Sequence, residues 1–141
     1  MFVLDTDHVV FLQRRSGLEY QRLQQRIDAY APQDFFVSIV TFHEQAMGWN
    51  CYLQRARTDA EIVHGYQQFG RVIEMFSVMQ SLPFDLAAAH AFEDLRRQRV
   101  RIGTMDLRIA ASALTRGLVV LTRNTVDFAR VPGLQFEDWT H

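Results

Sequence analysis

The chain has 141 residues, 48% of them hydrophobic and 12% aromatic, with a formal net charge of −1, which suits one folded domain (1–141) with a sizeable core rather than a polybasic nucleic-acid binder. All 15 cations are arginine, so Walker-A NTPases, Schiff-base enzymes and any mechanism needing a lysine base are excluded. Arginine forks onto phosphates, but genome base composition accounts equally well for the bias. Cys51 has no partner for an internal disulfide, no stretch approaches the roughly 18 uncharged apolar residues of a membrane span, and the N-terminus lacks a basic signal region. The expectation is a cytoplasmic protein with no membrane association.

Phe2-Val3-Leu4 reads as a first strand that delivers Asp5 at its C-terminal end, and a helix through Val9 to Leu12 follows. Leu18 to Tyr30 is amphipathic, with Tyr20, Leu23 and Ile27 on one face, and Pro32-Gln33-Asp34 closes it. Phe35 to Val40 is β-branched and aromatic, a second buried strand. Thr41 is the expected start of the next helix, with Glu44 at the capping-box spacing. Thr58 and Glu61 repeat that pattern before a longer helix whose stripe of Ile62, Tyr66, Phe69, Ile73 and Phe76 is core or partner-facing surface.

Ser81 to Phe84 is an edge piece, and Asp85 caps a helix running from Leu86 to about Gln98. The cluster Arg96, Arg97, Arg99 and Arg101 follows, ordinarily a solvated face, here beside the next acid. Gly103 breaks the chain, Thr104 is the expected N-cap, and Asp106 falls in the first turn of an Ala-rich helix ending at Gly117. The helix dipole alone favours an acid there. Leu118 to Thr122 is a buried strand, Arg123 to Phe128 a polar turn carrying Asp127, and Leu134 to Glu137 a last edge strand. Strands alternating with helices predict an α/β fold with a mostly parallel sheet covered on both faces.

In such a sheet, ligands collect beyond the carboxyl ends of the strands. Asp5, Glu44, Asp106 and Asp127 come from four distant places and can converge there. Packed carboxylates repel unless a cation or shared proton intervenes, and an all-oxygen donor set favours magnesium or manganese over zinc. That set is suited to activating water for in-line displacement at a phosphodiester.

Leu4-Asp5-Thr6-Asp7, Thr41-Phe42-His43-Glu44-Gln45, Gly103-Thr104-Met105-Asp106 with Ile109-Ala110-Ala111, and Leu121-Thr122-Arg123-Asn124-Thr125-Val126-Asp127-Phe128 with Val131-Pro132-Gly133-Leu134 occur in the order seen in PIN-domain proteins. The chain resembles that family over essentially its whole length, in particular the VapC-type toxin ribonucleases of bacterial VapBC toxin–antitoxin pairs. The resemblance implies a Rossmann-like α/β/α sandwich with a five-stranded parallel sheet and a Mg2+- or Mn2+-dependent endoribonuclease acting on RNA. It implies Asp5, Glu44 and Asp106 as core metal ligands and Asp127 as the fourth, more variable acid, holding a second metal or positioning water, all four catalytic. Thr104, Thr122 and Asn124 would bond ligand or substrate, and Arg99, Arg101 and Arg123 would track the RNA backbone. It also implies a homodimer inhibited by a cognate antitoxin. Asp7 departs from the pattern, where many members carry Asn or another polar residue; an extra carboxylate there either alters metal affinity or, the simpler reading, caps the following helix.

Leu4-Asp5-Thr6-Asp7 also fits the first motif of haloacid-dehalogenase-like phosphatases, but the later lysine of that family is missing. His43-Glu44 lacks the second histidine of a zincin. His8 is a possible outer partner of Asp5, with a plain surface or core role the simpler reading for every histidine. The main alternative is a catalytically silent PIN-like module that binds RNA or protein. Residues alone do not separate RNA from DNA as substrate.

Overall fold

The computed structural model describes residues 1–141. In chain order the elements are β1 (Phe2–Leu4), α1 (Thr6–Arg14), α2 (Leu18–Ile27), a 3-10 turn (Pro32–Asp34), β2 (Phe35–Ser38), α3 (Ile39–Arg55) and α4 (Asp59–Val78). Then come β3 (Gln80–Leu82), α5 (Leu86–Arg97), α6 (Thr104–Arg116), β4 (Val119–Leu121), α7 (Thr125–Phe128) and β5 (Phe136–Glu137). The five strands form one sheet in the order β3-β2-β1-β4-β5, and every pairing is parallel.

Side chains alternate across a strand, so each strand feeds two cores. Val3 and Val120 join Leu95, Leu107, Ala110, Ala111 and Phe128 on one face. Phe2, Leu4, Phe35, Val37 and Leu121 meet Val9, Leu12, Leu23 and Trp139 on the other. Each fully buried side chain of this size contributes about 1.5–3 kcal/mol. The Ala-rich face of α6 lets that helix lie close to the sheet, and its last turn ends at Gly117 in the left-handed region (φ 62).

Several boundaries differ from the sequence reading. β2 stops at Ser38, whose hydroxyl caps α3 by accepting the Val40 N–H at 3.0 Å. Thr41 is therefore inside the helix and fully buried, and the Thr41–Glu44 capping box does not form. Ile39 and Val40 have strand-like side chains, but a better cap one residue earlier wins. Gly103, not Thr104, occupies the N-cap of α6 and leaves it without a side-chain cap. The box of Thr58 and Glu61 does form. α2 ends at Ile27, three residues before Tyr30. Asp5, rather than Asp7, caps α1.

The stripe on α4 is split: Ile62, Tyr66 and Ile73 are exposed, Phe69 and Phe76 are half-buried with Phe76 packed against the second core, and Gly65 and Val72 are buried. Gly65 marks a close approach of α3 and α4: a Cβ there would lie 2.5 Å from Leu53 Cδ2, so that side chain would have to shift. No helix is long and apolar enough to cross a membrane.

Candidate active site

From β1 the chain moves outward through β2 to β3 and then returns to place β4 on the other side of β1. The crevice beyond the ends of β1 and β4 is thus the switch point of the sheet, where ligands of open α/β folds collect. Asp5 emerges there. Its backbone N–H donates to Leu121 O at 2.9 Å, continuing the ladder by one residue. Its Oδ1 accepts the Thr6 N–H at 2.7 Å, and its Oδ2 accepts the Thr122 hydroxyl at 2.8 Å. Asp5 is only 5% exposed. Burial raises its pKa to about 7, the charge of Asp7 adds to the rise, and the bonds from Thr122 and Thr6 fall short of offsetting it.

Glu44 comes from the second turn of α3. Its Oε1 accepts the Thr6 hydroxyl at 2.9 Å, and that hydroxyl lies 3.2 Å from the one on Thr41. Burial pushes the Glu44 pKa up, against the Thr6 bond, and the charge of Asp106 adds to the rise. Asp106, in the first turn of α6, is raised chiefly by burial and next by the charge of Asp127. Asn124 stands between these last two, its Nδ2 donating to Asp127 Oδ2 at 2.9 Å and lying 3.4 Å from Asp106 Oδ2. Asn124 also caps α7 by accepting the Asp127 N–H, and its own N–H donates to Thr122 Oγ1 at 3.0 Å. Charge coupling therefore runs from Asp127 through Asp106 to both Asp5 and Glu44.

The chemistry of this donor set fits a hard divalent cation: oxygen only, partly desolvated, and reluctant to ionise without a counter-charge. Its geometry is not a preformed cage, since no three acidic, histidine or cysteine side chains are placed to hold one ion together.

Other residues singled out from sequence fall in different places. Thr122 is fully buried, and both it and Asn124 are engaged with the acids rather than facing outward. Arg123 is exposed, with its guanidinium 5.5 Å from the Phe11 ring centre. Arg101 and Thr104 line a cleft of about 390 Å³ with Phe92, Arg96, Ile102 and Arg108. Arg99 is exposed and left-handed (φ 61). Arg97 pairs with Asp94 across 3.2 Å, as a solvated face would.

The PIN-domain profile matches residues 2–134. This chain belongs to the PIN-domain family. Within it, the tRNA(fMet)-specific endonuclease VapC of Salmonella typhimurium is 30% identical over 98% of this chain and 97% of its own length. The protein of the same name from Shigella flexneri is 45% identical over 49% of this chain and 56% of its own. Among solved structures, DNA-bound VapBC from Salmonella typhimurium superposes with a TM-score of 0.75 at 26% identity, covering 98% of this chain and 97% of that one. The parallel five-stranded sheet and the helices flanking it are those of a VapC-type PIN domain.

Two parts of this PIN site escaped the sequence reading. Thr6 is the hydroxyl that ties α1 to Glu44, 38 residues away, and nothing local distinguishes it from an ordinary first-turn threonine. The other is the pairing of Asp7 with a fully buried His8, which only the return of the C-terminal segment reveals. The adjacency of the two residues was the available signal.

Proposed function

We propose that this PIN domain is the toxin of a type II toxin–antitoxin module, a Mg2+- or Mn2+-dependent endoribonuclease that hydrolyses RNA phosphodiester bonds. The observation that carries this reading is the buried Asp5 at the switch point, raised to about 7 and coupled in charge to Asp106. An acid so placed is costly in an empty site and useful in one that receives a cation. The relatives named as VapC endonucleases support RNA as the substrate, and the VapBC complexes support an antitoxin partner.

Asp5, Glu44 and Asp106 would hold the ion, with Asp127 as the fourth acid. When bound, the ion supplies Lewis acidity at the scissile phosphate and lowers the pKa of a coordinated water. The protein does the rest. Thr6 and Thr122 fix the rotamers of Glu44 and Asp5 by donating a hydroxyl to one oxygen of each, and the Thr6 N–H holds the second Asp5 oxygen. Asn124 sets Asp127, which orients the attacking water. Water would add to phosphorus in line with the departing ribose oxygen as the P–O bond to that oxygen breaks; the water's proton would pass to a carboxylate of the cluster, and the ribose oxygen would take a proton from solvent. Arg99, Arg101 and Arg123 track the backbone on the rim. The protein acts as a cytoplasmic homodimer.

A silent RNA- or protein-binding PIN module is the second reading, favoured by the lack of a preformed three-ligand cage. Purified wild type and Asp106→Asn, incubated with an RNA pool plus magnesium, manganese or chelator, separate the two. Metal-dependent cutting that Asp106→Asn loses while still folded supports the nuclease. A folded wild type that neither cuts nor binds either metal by calorimetry leaves the silent module.

A further inference from the structure

His8 is 0% exposed, yet no element of the proposed chemistry uses it. A fully buried imidazole must satisfy both ring nitrogens, and here the partners identify the tautomer. The Trp139 backbone N–H points at Nε2 across 3.3 Å, which makes Nε2 its acceptor, while Asp138 Oδ1 stands farther off at 3.7 Å from the same nitrogen. The ring proton then sits on Nδ1, which donates to Asp7 Oδ1 at 2.7 Å. With one oxygen held, the Asp7 carboxylate cannot rotate, and its Oδ2 accepts the Arg123 backbone N–H at 2.9 Å. Arg123 lies between Thr122 and Asn124, the two side chains that bond to Asp5, Asp106 and Asp127.

We propose that Asp7 and His8 are positioning residues: the imidazole locks Asp7, Asp7 pins the backbone of Arg123, and that pin holds Thr122 and Asn124 against the acids. The C-terminal segment closes the arrangement, because Trp139 supplies the N–H that sets the His8 tautomer. Asp7 is thus not the cap of α1, a place Asp5 fills; its charge couples to Asp5 and Asp106, while its own two oxygens are held by His8 and the Arg123 N–H. It stands about a third exposed beside the loop and contributes a fixed acceptor. Outer partners of this kind typically alter metal affinity or rate by about 10–100-fold.

The roles of the two nitrogens separate by substitution. In His8→Asn the amide nitrogen occupies the place of Nδ1, keeping the donor to Asp7 and losing the acceptor for Trp139. In His8→Gln the longer side chain reaches the place of Nε2, keeping the contact with Trp139 and losing the donor to Asp7. Two readouts are taken on the full chain. The first rests on the nuclease reading: kcat and KM for RNA cleavage, with the Kd for Mn2+. The second does not rest on it: hydrogen exchange of the Arg123 amide.

His8→Asn should stay within a few fold of wild type in kcat and in Arg123 protection. His8→Gln should lose about 10–100-fold in kcat with KM little changed, weaken Mn2+ binding, and exchange Arg123 at least about tenfold faster. Equal Arg123 protection in the two variants, or a larger loss in His8→Asn than in His8→Gln, overturns the proposal, since a role confined to anchoring the C-terminus gives that order. If wild type cuts no RNA, the nuclease reading fails by itself, and Arg123 exchange still decides whether the pin exists.

Discussion

Replacing Asp5 by Asn removes the charge that the fold holds at the greatest cost. The Asp5 pKa rises from 3.8 to about 7 on folding, chiefly through burial, so between those values the folded protein binds the extra proton. A raised carboxyl pKa contributes stability that is present below the unfolded value and lost as pH climbs through the folded one. About three pKa units at 1.36 kcal/mol each make roughly 4 kcal/mol lost by pH 8. Asn cannot ionise, keeps the oxygen that caps Thr6, and presents an N–H₂ toward the Thr122 hydroxyl. Giving up a charge-assisted bond for a neutral one takes back about 1 kcal/mol.

Asp5→Asn should therefore be about 3 kcal/mol more stable than wild type at pH 8 in chelator, roughly 10 °C in Tm for a chain of this size. The gap should close toward pH 4. Manganese should raise the wild-type Tm at pH 8 and leave the variant where it was, while the variant loses cleavage. Urea denaturation and calorimetry at pH 4.5, 6 and 8 read all of this. An Asp5→Asn protein that melts at or below wild type at pH 8, with no pH-dependent gap, refutes the argument that an uncompensated charge is buried at the switch point.

Thr6→Val keeps the shape of α1 but removes the donor to Glu44 Oε1, so the Glu44 pKa should rise further and Mn2+ affinity, titrated calorimetrically, should drop by about tenfold. Gly65→Ala should cost about 1–3 kcal/mol in a urea melt, because the new methyl meets Leu53 Cδ2 at 2.5 Å between packed helices. Trp139→Ala should cost about 3–5 kcal/mol, since the indole is fully buried against Phe2 and Phe35. A Trp139→Ala protein with an unchanged midpoint shows that the C-terminal segment is dispensable to the second core.

The sequence by itself determined the class of the fold and the order of its parts, because these follow from local rules. Alternating apolar strands and amphipathic helices require helical crossovers, and crossovers require parallel pairing; β1, β4 and the edge positions of β3 and β5 follow. The caps of α4 and α5 by Thr58 and Asp85 are short-range bonds, and both formed as their residue types predict. Asp5, Asp106 and Asp127 were legible as candidates because each sits at the carboxyl end of a strand or in the first turn of a helix, whereas Glu44 lies in the second turn of α3.

Tertiary structure decided what depends on which segments return to the same place. Ser38 competed with Thr41 for the start of α3 and won, which freed Thr41 to be buried beside Thr6 and left Glu44 facing the crevice. The stripe on α4 was equally compatible with core and surface, and the helix splits it: Ile62, Tyr66 and Ile73 face outward, Phe76 packs against the second core, and Gly65 and Val72 are the fully buried positions. The lock on Asp7 needs a partner 131 residues from His8, beyond any local pattern. Local propensity acts through neighbours a few residues apart, whereas burial and charge coupling depend on distances that exist only once the sheet has closed around β1.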